Sequence, residues 1–175
     1  VDAIRYVVGA LLWLAVFAFL MRVILQLARA EFRNPIAQAI VRVTNPLVLP
    51  LRRVIPPVGR FDTASLIALL LVELAAAAII LSLEGLGLPS LPVLLRFAIL
   101  DLVHKVLQFY LVAIIVYVLL TWVAPGTYSP AGAILSSICE PLLAPFRRII
   151  PPIGGLDLSP LFVIIGLQAL LILLR

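Results

Sequence analysis

Four stretches of the chain, residues 6–27, 64–83, 102–124 and 158–174, are dominated by apolar side chains. Crossing the hydrocarbon core of a bilayer takes roughly 20 residues of helix. The runs are continuous rather than alternating, so they read as helices: a lipid-facing backbone must satisfy its own hydrogen bonds, and a barrel strand would alternate. The pattern predicts an all-α, polytopic membrane protein with four transmembrane helices. The first run lacks the layout of a cleaved signal peptide, and it is expected to remain in the mature protein.

Between the first and second runs the periodicity changes. Asn34-Pro35 is a helix start signal, and Ile36, Ile40, Val43 and Leu47 then recur at helical spacing, with Gln38, Arg42 and Asn45 on the other side. Ser129-Pro130 opens the corresponding segment between the third and fourth runs, where Ile134, Leu135, Ile138 and Leu142 face away from Ser136, Ser137 and Glu140. Each connector is predicted to hold an amphipathic helix in the membrane interface. A double arginine and a double proline follow, and Pro56-Pro57 and Pro151-Pro152 cannot continue a helix. Gly59 and Gly154 then supply turns, and Asp62 and Asp157 arrive where the next span begins.

The two connectors are copies. An offset of 95 positions places Asn45 on Glu140, Pro46 on Pro141, Arg52-Arg53 on Arg147-Arg148, Pro56-Pro57 on Pro151-Pro152, Gly59 on Gly154 and Asp62 on Asp157, with no gap. The chain therefore reads as repeat 1 at residues 1–84, a Gly/Pro-rich linker at 85–95 and repeat 2 at 96–175. With two crossings per repeat, the copies are expected to run parallel through the membrane, unlike inverted transporter repeats. On this reading each connector folds back so that Asp62 meets Arg52 or Arg53, and Asp157 meets Arg147 or Arg148.

Composition supports the membrane reading: 65% of residues are hydrophobic and 12% charged, against roughly 45–50% and 25% in soluble domains. The net charge of +5 resembles a nucleic-acid signal only until the basic residues are placed. Arg29, Arg33, Arg42, Arg52, Arg53, Arg60, Arg147 and Arg148 lie on the connector side, and Arg5, Arg96, Lys105 and Arg175 toward the other. The positive-inside bias then predicts a multi-pass protein of the bacterial inner membrane, with cytoplasmic connectors and periplasmic termini. Membrane lipids are the expected partners, with a protein partner or a homo-oligomer besides, and no direct binding of nucleic acid.

Two charged residues fall well inside spans, Arg22 in the first and Glu73 in the second, while His104 and Lys105 sit at the outer end of the third. The offset carries Arg22 onto Tyr117 and Glu73 onto Gln168, so both charges are replaced together. That predicts an Arg22–Glu73 pair joining two helices, with Tyr117 and Gln168 as its neutral counterpart. The four alanines at 75–78 predict close helix packing beside Glu73. Cys139 has no cysteine to pair with, and His104 has no second histidine to share a metal or haem. No catalytic set, phosphate loop or cofactor site can be assembled, so an enzyme is not expected.

The string Pro-x-x-x-Pro-x-Arg-Arg-x-Ile-Pro-Pro-x-Gly-x-x-Asp occurs at residues 46–62 and again at 141–157. It resembles the signature of the YggT family, called YlmG in some bacteria and in plastids. Residues 22–27 and 117–122 are similar to that family's Arg-x-x-x-Ser-Trp segment, each keeping part of it. The resemblance implies a small inner-membrane protein. Bacterial members are linked to osmotic stress, potassium uptake or division genes, and plastid relatives to haem attachment to a cytochrome b and to nucleoid distribution. Two functions are therefore in view. One is a non-catalytic scaffold or assembly factor serving envelope organisation, division or complex assembly, presenting Arg52, Arg53, Arg147 and Arg148 to lipid or a protein. The alternative is an oligomeric, ion-conducting protein linked to osmotic stress and carrying potassium or protons.

Overall fold

A computed structural model describes residues 2–59, 61–85, 87, 89–123, 128–149 and 157–174. Among them the chain is all-α, with α1 Asp2–Leu27, α2 Pro35–Val54, α3 Thr63–Leu83, α4 Leu91–Val123, α5 Pro130–Ile149 and α6 Ser159–Leu173. Helices α1, α3 and α4 are long and apolar enough to span a membrane. Helix α6 has 15 residues and is about 22 Å long, short of the roughly 30 Å hydrocarbon core. Among the described residues, three helices rather than four therefore meet the length of a span.

The linker read at 85–95 contains the start of a helix. Gly85 and Gly87 adopt φ of +81° and +69°, which ends α3, but α4 already begins at Leu91 and runs for 33 residues. Leucine and phenylalanine around Pro92 and Arg96 favour helix once the proline is accommodated in its first turn. The last residues of the linker are thus the opening of the helix that carries the third span.

Packing divides the chain into two units, one of Val1–Leu27 and Gln38–Leu102, the other of Ala28–Ala37 and Val103–Arg175. In the first, α1 packs against α3, and Ala64, Ala68, Ala76 and Ala77 are all buried. Small side chains allow the close backbone approach that apolar helices need where no hydrophobic effect drives them together. Ala77 and Leu81 also meet Leu94 and Ala98 of α4, the packing expected of the alanine run.

In the second unit, Ala113 and Ile114 of α4, Cys139 and Leu143 of α5, and Val163 and Leu167 of α6 share a core. Asn34 opens α2 as expected, its Oδ1 accepting the Ile36 N–H at 2.9 Å. Its Nδ2 donates to the Pro130 carbonyl at 2.7 Å. Ser129 opens α5 by accepting the Gly132 N–H at 3.0 Å.

Helices α2 and α5 run through Pro46 and Pro50, and through Pro141 and Pro145. All four prolines are exposed. Each removes one helical hydrogen bond, and on the exposed side the freed carbonyls do not strand a polar group in the core. That is why the amphipathic helix of repeat 1 continues to Val54, bringing Arg52 and Arg53 onto its last turn.

Candidate functional site

The polar side chains converge where each connector helix returns to the next span. In repeat 1 the chain leaves α2 past Pro56 and Pro57 and turns at Gly59, whose φ is +61°. Val58 and Phe61 exchange backbone hydrogen bonds of 3.1 and 3.0 Å across that turn. Thr63 Oγ1 then donates to the Pro56 carbonyl at 2.8 Å. The elbow so closed returns Asp62 to α2, where Arg52 Nε donates to Asp62 Oδ2 at 3.1 Å and Nη2 donates to the same oxygen. The expected clasp is present, and it selects the first arginine of the pair.

Arg22 reaches this cluster from α1. It is 4% exposed; its Nε donates to Ser65 Oγ at 2.8 Å, and its Nη1 to Thr44 Oγ1 at 2.7 Å and Asn45 Oδ1 at 3.0 Å. Ser65 in turn donates to Asp62 Oδ2 at 2.5 Å, and Arg22 Nη2 lies 3.9 Å from that oxygen. One guanidinium therefore ties the end of α1 to the middle of α2 and the first turn of α3. The carboxylate that meets Arg22 is Asp62. Glu73, buried in α3, stands eight residues beyond Ser65, about 12 Å further along the helix. The joint of Arg22 with Asp62 thus lies at the connector end of the spans, on a carboxylate that the sequence reading had not assigned to Arg22.

Repeat 2 brings the corresponding side chains together with different chemistry. Tyr117, in the place of Arg22, donates to Glu140 Oε1 at 2.5 Å, and Glu140 stands in the place of Asn45. Arg147 Nη1 donates to Glu140 Oε2 at 2.6 Å, and its Nε to Asp157 Oδ2 at 2.5 Å. Asp157 Oδ1 accepts the Ser159 N–H at 2.9 Å and the Ser159 hydroxyl at 2.5 Å. Gln168 is exposed on α6, so the hydroxyl of Tyr117 goes to Glu140 and not to Gln168. Pro151, Pro152 and Gly154, expected to shape this elbow, lie outside the described residues, as do Arg60 and Arg175.

Electrostatics follow the geometry. Burial opposes ionisation of Asp62, but hydrogen bonds from Arg52 and Ser65, with the charges of Arg52 and Arg22, outweigh it and hold the carboxyl below its usual range. Asp157 behaves alike: burial is outweighed by the Ser159 hydroxyl and N–H and by Arg147. Burial would lower Arg147, yet Glu140 and Asp157 raise it above the ordinary arginine value. The repeat 1 cluster thus holds two guanidinium groups around one carboxylate. In repeat 2 the cluster holds one guanidinium between two carboxylates.

The second arginine of each pair is treated differently. Arg53 and Arg148 are exposed, and neither forms an ion pair among the described residues. Thr44, Asn45, Ser65, Glu140 and Ser159 are site residues to which the sequence reading gave no site role, although it aligned Asn45 with Glu140. The signal that would have found two of them is the offset itself, which replaces Asn45 by Glu140 as it replaces Arg22 by Tyr117.

The CCB3/YggT family model matches residues 1–83 and 97–175, two segments that correspond to the two repeats. The chain belongs to the CCB3/YggT family. It is 44% identical to an uncharacterized protein of Pseudomonas aeruginosa over 95% of this chain and 85% of that one. It is 30% identical to the uncharacterized protein YggT of Escherichia coli K12 over 97% of this chain and 87% of that one. A chloroplastic YlmG homolog of Arabidopsis thaliana is 41% identical over 36% of this chain and 25% of its own length. No solved structure matches. As a YggT-family member the chain is a multi-pass membrane protein. The family string read from the sequence is the segment that forms the elbow in repeat 1: two helix-interior prolines, the clasping and the outward arginine, the turn glycine and the returning aspartate.

Proposed function

We propose that the protein is a non-catalytic scaffold or assembly factor of the bacterial inner membrane, with its two elbows as the presenting surfaces. The observation that supports this is the division of labour within each double arginine. Arg52 and Arg147 are consumed in pairing with Asp62 and Asp157, while Arg53 and Arg148 project from the last turns of the same helices with no ion pair among the described residues. An elbow closed by a clasp spends little conformational freedom on binding, and its outward arginine is placed to meet a carboxylate or phosphate. In this reading α6, though shorter than the hydrocarbon core is thick, is a fourth crossing accommodated by local thinning of the bilayer, the connectors are cytoplasmic and the termini periplasmic, following the distribution of basic residues.

Affinity capture of the tagged protein from gently solubilised membranes tests it. The partner set recovered with the native chain should be lost when Arg53 and Arg148 are both changed to alanine, with the protein still monodisperse. An unchanged partner set contradicts the reading. Cysteines placed singly at positions 53 and 148 should be labelled from the cytoplasmic side alone.

Burial of Glu73 inside a span, 1% exposed, favours the alternative of an oligomeric potassium or proton conductor, because intramembrane acids often mark ion paths. Purified protein in liposomes would then pass potassium or protons down an imposed gradient, and Glu73→Gln would abolish the flux.

A further inference from the structure

The outer surface of α2 carries two stripes that the elbow does not use. Arg42 and Arg53 are eleven residues apart, three helical turns or about 16 Å, so they share one side of the helix. Both are exposed and have no ion-pair partner among the described residues. Beside them Val43, Leu47, Pro50 and Val54 recur at helical spacing, with Val43 69% and Val54 80% exposed. Ala37, Thr44 and Val48 on the opposite face are fully buried. A helix that buries one face in its own protein and exposes apolar and cationic stripes side by side has two external surroundings to satisfy.

The depth of α2 says what those surroundings are. Arg22 lies five residues before the end of α1, about 8 Å along the helix, and it bonds Thr44 and Asn45 at the middle of α2. The midpoint of α2 is therefore held at the level of the last turns of a membrane span, where acyl chains give way to head groups. At that level an apolar stripe meets acyl chains and an adjacent arginine meets phosphate.

Helix α5 lacks half of this surface. Ser137 occupies the place of Arg42, Ile138 in the place of Val43 is buried, and the adjoining elbow holds two carboxylates with one guanidinium. We infer that α2, through Arg42 and Arg53, is a binding surface for the phosphate head groups of anionic phospholipids, and that α5 is not its equivalent. The inference rests on the reading of Arg53 as an outward-presented group, and it adds a lipid class, a second residue and a difference between the repeats.

Lipid selectivity tests this directly. The full chain is reconstituted in phosphatidylcholine vesicles with a trace of spin-labelled phosphatidylglycerol or spin-labelled phosphatidylcholine, and the protein-associated fraction of each label is compared. A surface arginine near anionic lipid is worth about fivefold in association, so the native protein should favour phosphatidylglycerol severalfold. Arg42→Gln with Arg53→Gln should bring the ratio close to one, while Arg42→Lys with Arg53→Lys and Arg148→Gln should keep it. Inorganic phosphate should compete no better than chloride at equal ionic strength.

No preference in the native protein overturns the inference, as does an equal loss in Arg148→Gln. Specific competition by inorganic phosphate overturns it too, since the ligand would then be a soluble anion. Arg42→Gln alone separates it from the scaffold reading. A fall in lipid preference with the captured partners unchanged supports the lipid surface, whereas lost partners with unchanged lipid preference assign this face to a protein and overturn it.

Discussion

Tyr117 donates its hydroxyl hydrogen to Glu140 at 2.5 Å, in the place where repeat 1 has Arg22 donating to Asn45 at 3.0 Å. In both repeats the donor stands on the spanning helix and the acceptor on the connector helix. What changes is where the charge sits. Repeat 1 puts a cation on the span and a neutral amide on the connector, and repeat 2 puts a neutral phenol on the span and an anion on the connector. Either combination satisfies a polar pair near the end of a span, whereas mixing them would place Arg22 beside a glutamate or Tyr117 beside an amide.

Truncating Arg22 should be among the most damaging single changes in the first repeat. Arg22→Met removes the donor shared by Ser65, Thr44 and Asn45 and should destabilise the protein by about 3 kcal/mol. Arg22→Lys should recover less than half, because one ammonium cannot reproduce the planar fork. Reversible unfolding in mixed dodecyl sulfate micelles, followed by circular dichroism, measures both.

Transplanting the repeat 2 joint compares the two. Arg22→Tyr should destabilise the protein, Asn45→Glu, which sets a carboxylate beside the Arg22 guanidinium, should cost less, and the double variant should depart from the sum of the two by about 1 kcal/mol. A double-mutant cycle in the same assay decides it. Additive losses would mean that the residues do not act together.

Acid should loosen the elbows. The folded-state carboxyls of Asp62 and Asp157 are held below their usual values, so the stability they contribute is complete above the unfolded-state pKa of about 4. It is lost as pH falls through the lower folded-state values. The thermal midpoint should therefore be level from neutral pH down to about 5 and decline below 4. Asp62→Asn and Asp157→Asn together should lower the midpoint at neutral pH and flatten that decline.

The two arginines of a pair should differ in kind. Arg52→Ala should lower the thermal midpoint, because it opens the clasp to Asp62, and Arg53→Ala should leave stability within about 0.5 kcal/mol. Size-exclusion profiles after a temperature ramp distinguish them. Equal losses would show that the outward arginine is also structural.

Cys139 should be inert in the folded protein. It is fully buried, and burial with the nearby Glu140 pushes its thiol up to about 12, so little reactive thiolate forms near neutral pH. Maleimide should label it slowly in mild detergent and rapidly after full denaturation. Fast labelling of the folded chain would show that α5 does not pack as described.

Much of the elbow was legible in the order of residues alone. The amphipathic spacing after Asn34-Pro35 and Ser129-Pro130, the duplicated arginines and prolines, the turn at Gly59 and the returning aspartates are local signals. Local backbone chemistry decides them, so Arg52–Asp62 and Arg147–Asp157 could be anticipated from a chain forced to double back over ten residues. The partners of Arg22 and Tyr117 could not. Apolar periodicity places a residue on a face of its helix but leaves open the level at which a neighbouring helix passes it. Only the packing of α1 on α3, with the middle of α2 bonded to Arg22, set Arg22 level with Ser65, Thr44 and Asn45 and left Glu73 deeper in its span. The same packing decided which arginine of each pair was used and which remained outside, because two adjacent residues on one helix point about 100° apart and only one can face the returning aspartate.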